Sequence, residues 1–406
     1  MSAMIRMDVA ERRRRLAVRH GLGGQDRPED PLAVARRLVA LHSTDPATVF
    51  LAVRARTASL VTPAKIEDSM YERRELIRML AMRRTVFVVP AEMAPLIQVS
   101  TADRIASRQR TLLLRLLSDA GVAAEPEAWL AELERSVLGA LADRGGTATA
   151  AELAATEPRL RTSVLMAAGK PYEARQNITS RVLLVLAAQG QIIRGRPVGS
   201  WLSQQYRWAL AAHWLSSPPG SPGPLGTQTG ACAELARQWL AAYGPAPLTD
   251  LKWWTGWTMT QVKKTAAELG VVEVQVGAGT GDDARTGVVL PDDLDATPAP
   301  VPWVALLPAL DPTVMGWSDR SWFLGPHGPA LFDNTGNAGP TIWLDGRVVG
   351  GWAQRRDGEV VVRLLEDVGA DATALVLAEA ARVAAWLADV RVIPRFRTPT
   401  ERDLAN

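Results

Sequence analysis

The period of the hydrophobic pattern changes repeatedly along the middle of the chain. Residues 127–142 follow the 3.6-residue period of an amphipathic helix. Thr149 and Glu152 then form a capping box, which predicts that a second helix begins there. A third helix is predicted over 177–188, and Gly190 ends it.

Two short strands follow this third helix, at 191–196 and 200–208, and residues 197–199 form the turn between them. Three helices followed by a two-stranded wing are typical of the winged helix, a variant of the helix-turn-helix motif. We therefore predict one winged helix within residues 126–215.

The same order of elements recurs on both sides of this segment, and internal repetition strengthens each prediction. Downstream we predict helices at 233–243 and 249–255, a helix that Thr258 and Gln261 open and Gly270 closes, and strands at 271–276 and 286–290. Upstream we predict helices at 31–41 (with Asp30 as N-cap and Pro31 at the first helical position), 46–58 and 66–80, and a strand at 85–90.

Two proline-rich stretches, at 216–226 and 295–302, divide the pattern. The fold class we predict is α+β, mainly helical, with tandem winged-helix units and a β-rich C-terminal region. The predicted regions are 1–125 (first winged-helix region), 126–215 (second winged helix), 216–295 (third winged helix) and 296–406 (β-rich, ending in a helix at 371–387).

Composition excludes several kinds of site. Cys232 is the only cysteine and the four histidines are scattered, so we expect no disulfide, metal or cofactor. No run of about 18 apolar residues predicts a membrane span, and the basic first residues lack the apolar segment of a secretory signal. We expect a cytoplasmic, monomeric protein.

Charge is distributed unevenly along the chain. Residues 1–210 contain 31 Lys and Arg against 21 Asp and Glu, whereas residues 211–406 contain 15 against 22. The basic half is nearly all arginine, whose planar guanidinium suits phosphate. Nucleic-acid binding would explain this excess, and an arginine-rich solvated surface is the alternative.

Five residues of this basic half are candidate DNA contacts. Arg83, Arg84 and Thr85 stand at the entrance of a strand, where alternation would place Arg83 and Thr85 on one face and Arg84 on the other. Arg194 and Arg196 lie on the predicted wing of the second unit, where winged helices contact phosphate. Ordinary solvated arginines remain the alternative for all four.

Tryptophans offer two further possibilities. Trp253, Trp254 and Trp257 have one-turn spacing, which favours a packed core face over a base-stacking platform. Trp317 and Trp322 flank Asp319 and Arg320 in a predicted loop, so both tryptophans are candidates for insertion into DNA, and Trp317 and Arg320 are predicted DNA contacts. The glycine-rich run at 277–281 is interpreted as a hairpin turn, because no helix or Gly-Lys-Ser/Thr ending follows it.

The most informative segment is LHSTDPATVF at 41–50. His42, Ser43, Thr44 and Asp45 form a polar elbow between two apolar helices. Asp45 before Pro46 is an ordinary N-cap arrangement, which accounts for Asp45 alone. Four polar groups at a helix N-terminus could also orient a water molecule and stabilise a charged intermediate.

Four passages of the chain resemble the winged-helix DNA glycosylases of the AlkZ and YcaQ type. They are LVALHSTDP at 38–46, MRRTVFVVP at 82–90, LLPALDPTVMGWSDR at 306–320 and GPTIWLDGRVVGGW at 339–352. The resemblance implies three tandem winged helices in a C shape, with double-stranded DNA in the concave cleft. It also implies hydrolysis of the N-glycosidic bond of alkylated purines, in some members as self-resistance to bulky antibiotic adducts.

The catalytic pattern of that family is Gln-x-Gln, or Gln-x-Asp in one branch. The matching positions here are His42 and Thr44, with Asp45 beside them, so the resemblance assigns catalysis to these three residues and also marks a departure from the pattern. An N7-alkylguanine is already cationic and needs little acid assistance, which suits a monofunctional enzyme that stabilises an oxocarbenium-like sugar. The alternative function is a DNA-binding regulator without catalysis, since winged helices commonly serve that role.

Overall fold

The computed structural model describes residues 5–166, 169–170, 173–215, 227–277 and 285–406. The fold is mixed, with more helix than strand, which confirms the predicted α+β class. The proline-rich stretch at 216–226 and all but the first residue of the predicted turn at 277–281 lie outside the described residues.

The helices are α1 Val9–Arg19, α2 Pro31–Leu38, α3 Pro46–Arg56, α4 Pro63–Glu67, α5 Ala94–Ile97, α6 Asp103–Asp119, α7 Pro126–Ala142, α8 Ala150–Thr156, α9 Thr179–Ala188, α10 Gln228–Tyr243, α11 Leu248–Thr255, α12 Met259–Leu269, α13 Ser321–Leu324, α14 Gly328–Leu331, α15 Ala370–Leu387 and α16 Pro399–Ala405. The strands are β1 Arg6–Met7, β2 Leu41–His42, β3 Leu76–Ala81, β4 Thr85–Pro90, β5 Thr147–Ala148, β6 Ser163–Met166, β7 Ala174–Asn177, β8 Ile192–Pro197, β9 Tyr206–Leu210, β10 Val272–Val276, β11 Arg285–Val289, β12 Val304–Leu307, β13 Thr341–Leu344, β14 Arg347–Gln354 and β15 Val360–Leu364.

Helix ends lie where local chemistry predicts them. Asp30 accepts a hydrogen bond from the Ala33 amide and starts α2 with proline in the first turn. Thr149 and Glu152 make both bonds of a capping box at α8. Gly190 and Gly270 have φ of 70° and 61°, a left-handed conformation that glycine adopts without strain, and they terminate α9 and α12.

The third helix predicted in the first region, at 66–80, is wrong in its second half. Helix α4 continues as one wide turn, Asp68–Glu72, and the chain then enters β3. Every residue of β3 is buried, and β3 pairs along its whole length with β4. An apolar run of this kind fits either a helix or a buried strand, and the partner strand decides between them.

The second region follows the predicted order of helices and strands, with three differences. The two-residue strand β5 precedes α8, pairs with β9 and was not predicted. An antiparallel hairpin, β6–β7, stands between α8 and α9, where no strands were predicted. Strand β9 begins at Tyr206 instead of residue 200. The third region also has the predicted order, and its strand β10 pairs in parallel with the N-terminal β1.

A six-stranded sheet joins the first two regions. Its order is β2-β4-β3-β8-β9-β5, and the junction is the antiparallel pairing of Arg78 on β3 with Arg194 on β8. The predicted C-terminal β-rich region is a four-stranded antiparallel sheet, β12-β13-β14-β15, and the terminal helix predicted at 371–387 is α15. The tandem winged-helix arrangement, its C shape and the four region boundaries stay predictions.

The C-terminal sheet packs against the first region. Residues of α2, α3 and β2 share one buried cluster with β12, β14 and α15. Arg56 on α3 and Asp311 after β12 form a fully buried ion pair at 2.6 Å, and Thr313 accepts a further bond from the same guanidinium. This contact fixes α3, and therefore the elbow at its N-terminus, against the C-terminal region. None of the helices in the described part of the chain is both long and apolar enough to span a bilayer.

Candidate active site and nucleic-acid interface

The polar elbow is a short strand followed by a helix cap. The helix predicted to end at Leu41 ends at Leu38, after which Val39 has φ of 65°. Leu41 and His42 then pair with β4, and the Ser43 amide extends that pairing by donating to the Val86 carbonyl at 2.9 Å. The elbow is thus held by a sheet on one side and by α3 on the other.

His42 is buried and uncharged. Its ring lies edge-on to Phe87, with centroids 5.3 Å apart, and its Nδ1 accepts from the Thr44 amide at 3.4 Å. Burial, together with the positive charge of Arg83, lowers the pKa of His42 to about 3. The ring proton therefore sits on Nε2, so His42 can donate a hydrogen bond at neutral pH but cannot deliver a proton as an imidazolium acid.

Asp45 caps α3 and also ties down the C-terminal segment. Its Oδ1 accepts from the Ala47 amide at 3.1 Å, and its Oδ2 accepts from the Arg395 amide at 2.8 Å. Burial raises the pKa of Asp45, and the two amide hydrogen bonds oppose that rise. Both carboxylate oxygens of Asp45 therefore accept a backbone hydrogen bond. The N-cap predicted from the sequence accounts for only one of these bonds.

Thr44 and Ser43 contribute hydroxyls of different kinds. Thr44 is half-buried, and its carbonyl accepts from Nη1 of Arg395 at 3.3 Å. Its own hydroxyl has no hydrogen-bond partner among the described residues. The Ser43 hydroxyl is buried and also lacks a partner there. The elbow therefore has a half-buried hydroxyl at Thr44 and an Nε2 donor at His42, two residues earlier in the chain.

Arg83 and Arg84 occupy the tight turn between β3 and β4. Their φ values of 54° and 62° are left-handed, so the predicted alternation of Arg83 and Arg84 across a strand is wrong, because both are turn residues. Thr85 starts β4 and is half-buried. The Arg83 guanidinium stacks on Trp253 at 3.9 Å, and Arg84 reaches Gln109 at 3.4 Å.

A cavity of about 670 Å³ opens beside this turn. Four arginines line it, two from the turn and two from α6, and no carboxylate does: Arg83, Arg84, Arg104 and Arg108. We call this cavity the arginine groove. Sequence reasoning missed Arg104 and Arg108, although their i, i+4 spacing on a helix places them on one face. Because the charge of Arg83 acts on His42, the groove lies next to the elbow.

The two predicted wing arginines differ in their surroundings. The half-buried Arg194 lies over the Tyr206 ring at 4.4 Å. The exposed Arg196 is already paired, with Glu72 at 2.6 Å and Glu67 at 3.5 Å. A phosphate would have to displace those carboxylates to reach Arg196, so Arg194 is the stronger candidate of the two.

The prediction that Trp317 stands on an exposed loop is wrong. Trp317 is 2% exposed, and its Nε1 donates to the Tyr243 carbonyl at 3.1 Å. Trp322 is buried as well, under the Arg12 guanidinium. Apolar neighbours from α10 and α13 cover these rings, so neither can stack on a base without unpacking the core.

Arg320 and the other tryptophan candidates lie near the groove. Trp254 and Trp257 are buried, as the core interpretation predicts. Trp253 is half-buried between two guanidinium groups, those of Arg83 and Arg320, the second at 5.1 Å. Burial and the charge of Arg83 lower the pKa of Arg320 to about 10. Among the described residues, no group of His, Cys, Asp and Glu side chains could hold a metal ion.

A family model and a solved structure are both similar to this chain. The model of the AlkZ-like DNA glycosylase family matches residues 35–386. No individual curated protein sequence matches the chain. Among solved structures, the DNA glycosylase AlkZ of Streptomyces sahachiroi is similar with a TM-score of 0.72 and 24% sequence identity, covering 96% of this chain and 99% of AlkZ. At that identity the likeness shows the fold alone, whereas the family model spans most of the chain, elbow and groove included. The chain therefore belongs to the AlkZ-like DNA glycosylase family.

Proposed function

We propose that this glycosylase hydrolyses the N-glycosidic bond of alkylated purines in double-stranded DNA, with cationic N7-alkylguanine as the substrate class. The observation that carries the proposal is the position of the elbow. A neutral His42 and a half-buried Thr44 hydroxyl lie beside a groove lined by four arginines and no carboxylate. Phosphates neutralise such a groove, and the duplex would then lie against the elbow.

The proposed substrate class follows from the lack of a proton donor for the departing base in the elbow. With the pKa of His42 lowered to about 3, His42 cannot protonate a departing base near neutral pH. A leaving group that already carries positive charge needs no such proton, and N7-alkylation provides that charge. The enzyme must then stabilise an oxocarbenium-like sugar and position a water molecule.

Three of the four elbow residues have a role in this scheme. Nε2–H of His42 and the Thr44 hydroxyl orient the water. Asp45 supplies negative charge to the developing oxocarbenium ion through space, since both of its oxygens stay bonded to backbone amides. No lysine lines the groove, which favours simple hydrolysis over a Schiff-base route with strand cleavage.

Bulky antibiotic adducts are the second substrate group to test, because an open groove tolerates a large adduct better than a closed base pocket does. Removal of such adducts would serve self-resistance, and removal of small alkyl lesions would serve base excision repair. A panel of duplexes carrying 7-methylguanine or a bulky N7-guanine adduct separates the two roles by their relative single-turnover rates.

The test of the function is base release. Single-turnover assays on a duplex containing 7-methylguanine should release the free base and leave the strand uncut until it is heated in alkali. His42→Ala should slow release at least tenfold and leave duplex affinity unchanged. His213→Ala, at an exposed histidine, is the matched control. Retention of one DNA sequence with no release of any alkylated base would instead support the regulator alternative.

A further inference from the structure

A buried arginine without a partner lies where the first two regions meet. Arg78, on the central strand β3, is 2% exposed, and its Nε and Nη2 have no hydrogen-bond partner among the described residues. The planar guanidinium of an arginine carries five N–H donors and no acceptor. A buried charge of this kind is costly unless an anion or a hydrogen-bond acceptor meets it.

Other groups around Arg78 are also cationic or lack a partner. Arg194 pairs with Arg78 across the strands, and its guanidinium lies over Tyr206. The buried hydroxyl of Tyr71 has no partner and is close enough for the charge of Arg78 to act on it. Arg395 completes the group, because its charge acts on both Arg194 and Tyr206. We call Arg78, Arg194 and Arg395 the arginine cluster.

Among the described residues, no carboxylate opposes the charges of Arg78 and Arg395 at Arg194, whereas Arg395 itself also acts on the buried carboxylate of Asp45. Burial lowers the pKa of Arg194, and the charges of Arg78 and Arg395 lower it further, with only Tyr206 opposing them. The acid whose charge acts on Tyr71 is Glu67, which also pairs with Arg196 at 3.5 Å. Arg78 and Arg194 therefore lie among tyrosines with an excess of positive charge, an environment that a bound anion would stabilise.

The cluster opens toward the surface beside the elbow. Arg78 is buried, Arg194 half-buried and Arg395 exposed, so an anion can enter from the Arg395 side. The Arg395 amide bonds to Asp45, and its guanidinium bonds to the Thr44 carbonyl. An anion bound by the arginine cluster would therefore lie on the side of the elbow that contacts Arg395.

We propose that the arginine cluster binds one phosphodiester group of the DNA backbone and thereby positions the damaged strand at the elbow. The inference rests on the proposed function for its choice of anion. Guanidinium groups form paired hydrogen bonds with phosphate oxygens, and a tyrosine hydroxyl can donate another. A strand fixed here would contact arginines other than the four that line the groove.

The first experiment measures the affinity of a duplex with a tetrahydrofuran abasic analogue, which needs no catalysis. Fluorescence anisotropy over a range of salt concentrations should show about tenfold weaker binding for Arg194→Gln, with the salt slope reduced by about 0.9. Arg135→Gln, at an exposed arginine on α7, is the matched control and should leave both values unchanged. Arg78→Lys, checked by its melting curve, should behave as Arg194→Gln does.

The second experiment locates the phosphate. Single methylphosphonates, which remove one backbone charge each, are placed in turn along both strands. One position should weaken binding by the wild type about tenfold and leave binding by Arg194→Gln unchanged, because the two changes remove the same contact. Arg135→Gln should be as sensitive as the wild type at that position.

The inference would be overturned if no methylphosphonate position were coupled to Arg194. It would also be overturned if Arg194→Gln and Arg135→Gln lost the same DNA-binding affinity. If inorganic phosphate raised the melting temperature and no methylphosphonate position were coupled to Arg194, the arginine cluster would bind a free anion instead of the DNA backbone. This result would also overturn the inference. Coupling without base release would support the inference and contradict the proposed function. Base release without coupling would support the proposed function and contradict the inference.

Discussion

Asp45 offers the sharpest test of the elbow, because the structure gives it two duties that an asparagine cannot both perform. Its Oδ1 accepts from the Ala47 amide and its Oδ2 from the Arg395 amide. In Asp45→Asn one of these acceptors becomes an NH₂ group, which then faces another N–H. The helix cap can survive, since asparagine caps as well as aspartate does, but the bond to Arg395 is lost.

The magnitude follows from burial. Asp45 is 5% exposed, so the NH₂ group of the asparagine would face the Arg395 amide without an acceptor and largely away from water. An unsatisfied buried donor costs about 1–3 kcal/mol, and we expect Asp45→Asn to lower the free energy of unfolding by that amount. Asp45→Ala also loses the cap, which costs about 0.5–2 kcal/mol more. A capping role alone would leave Asp45→Asn close to the wild type.

The catalytic part is measured separately, on protein that is still folded. Single-turnover release of 7-methylguanine should fall about a hundredfold in Asp45→Asn, as expected when a preorganised charge is removed from the developing oxocarbenium. Denaturant unfolding of the same preparation gives the stability. Asp30→Asn is the matched control, because Asp30 caps α2 before a proline outside the elbow.

Two results would refute this reasoning. Unchanged unfolding of Asp45→Asn would show that the bond to Arg395 contributes nothing. Full excision by folded Asp45→Asn would remove Asp45 from the mechanism and leave it as a structural residue.

Three further predictions concern pH, DNA binding and the core. The pKa of His42 is lowered to about 3, so the stability that the neutral ring provides is complete above pH 6.5 and declines as the pH falls. At pH 5 the free energy of unfolding of the wild type should have fallen by about 2 kcal/mol, whereas that of His42→Gln should not show this loss. Denaturant unfolding at the two pH values measures the difference. Replacing Arg104 and Arg108 by Gln should reduce the salt slope of duplex binding by about 0.9 per lost phosphate contact, and an unchanged slope would exclude them from the interface. Trp317→Ala should destabilise the fold by about 3–5 kcal/mol through a core cavity, whereas normal melting with weakened DNA binding would restore the insertion model.

The candidate site was only partly predictable from sequence. The elbow was found because its excess of polar groups lies in one short segment and matches a family pattern. Arg83 and Arg84 were found as a basic pair, and their role as turn residues became visible only with both strands of the hairpin in place. Arg78 and Arg395 carried no local signal, since one lies in an apolar strand and the other in an irregular C-terminal segment.

Features that depend only on neighbouring residues could be predicted from the sequence. Helix starts at Asp30 and Thr149, and helix ends at Gly190 and Gly270, depend on hydrogen bonds and backbone freedom within a few residues. For the same reason the order of elements in the second and third regions was predictable, and so was the α+β class.

Tertiary structure decided everything that depends on a distant partner. Residues 76–81 are a strand because β4 and β8 are there to accept their backbone hydrogen bonds, and Trp317 is buried because α10 and α13 cover it. Asp45 is more than a cap because Arg395, far along the chain, supplies its second amide. An apolar run or a polar side chain has several satisfactory environments, and only the packed chain selects one of them.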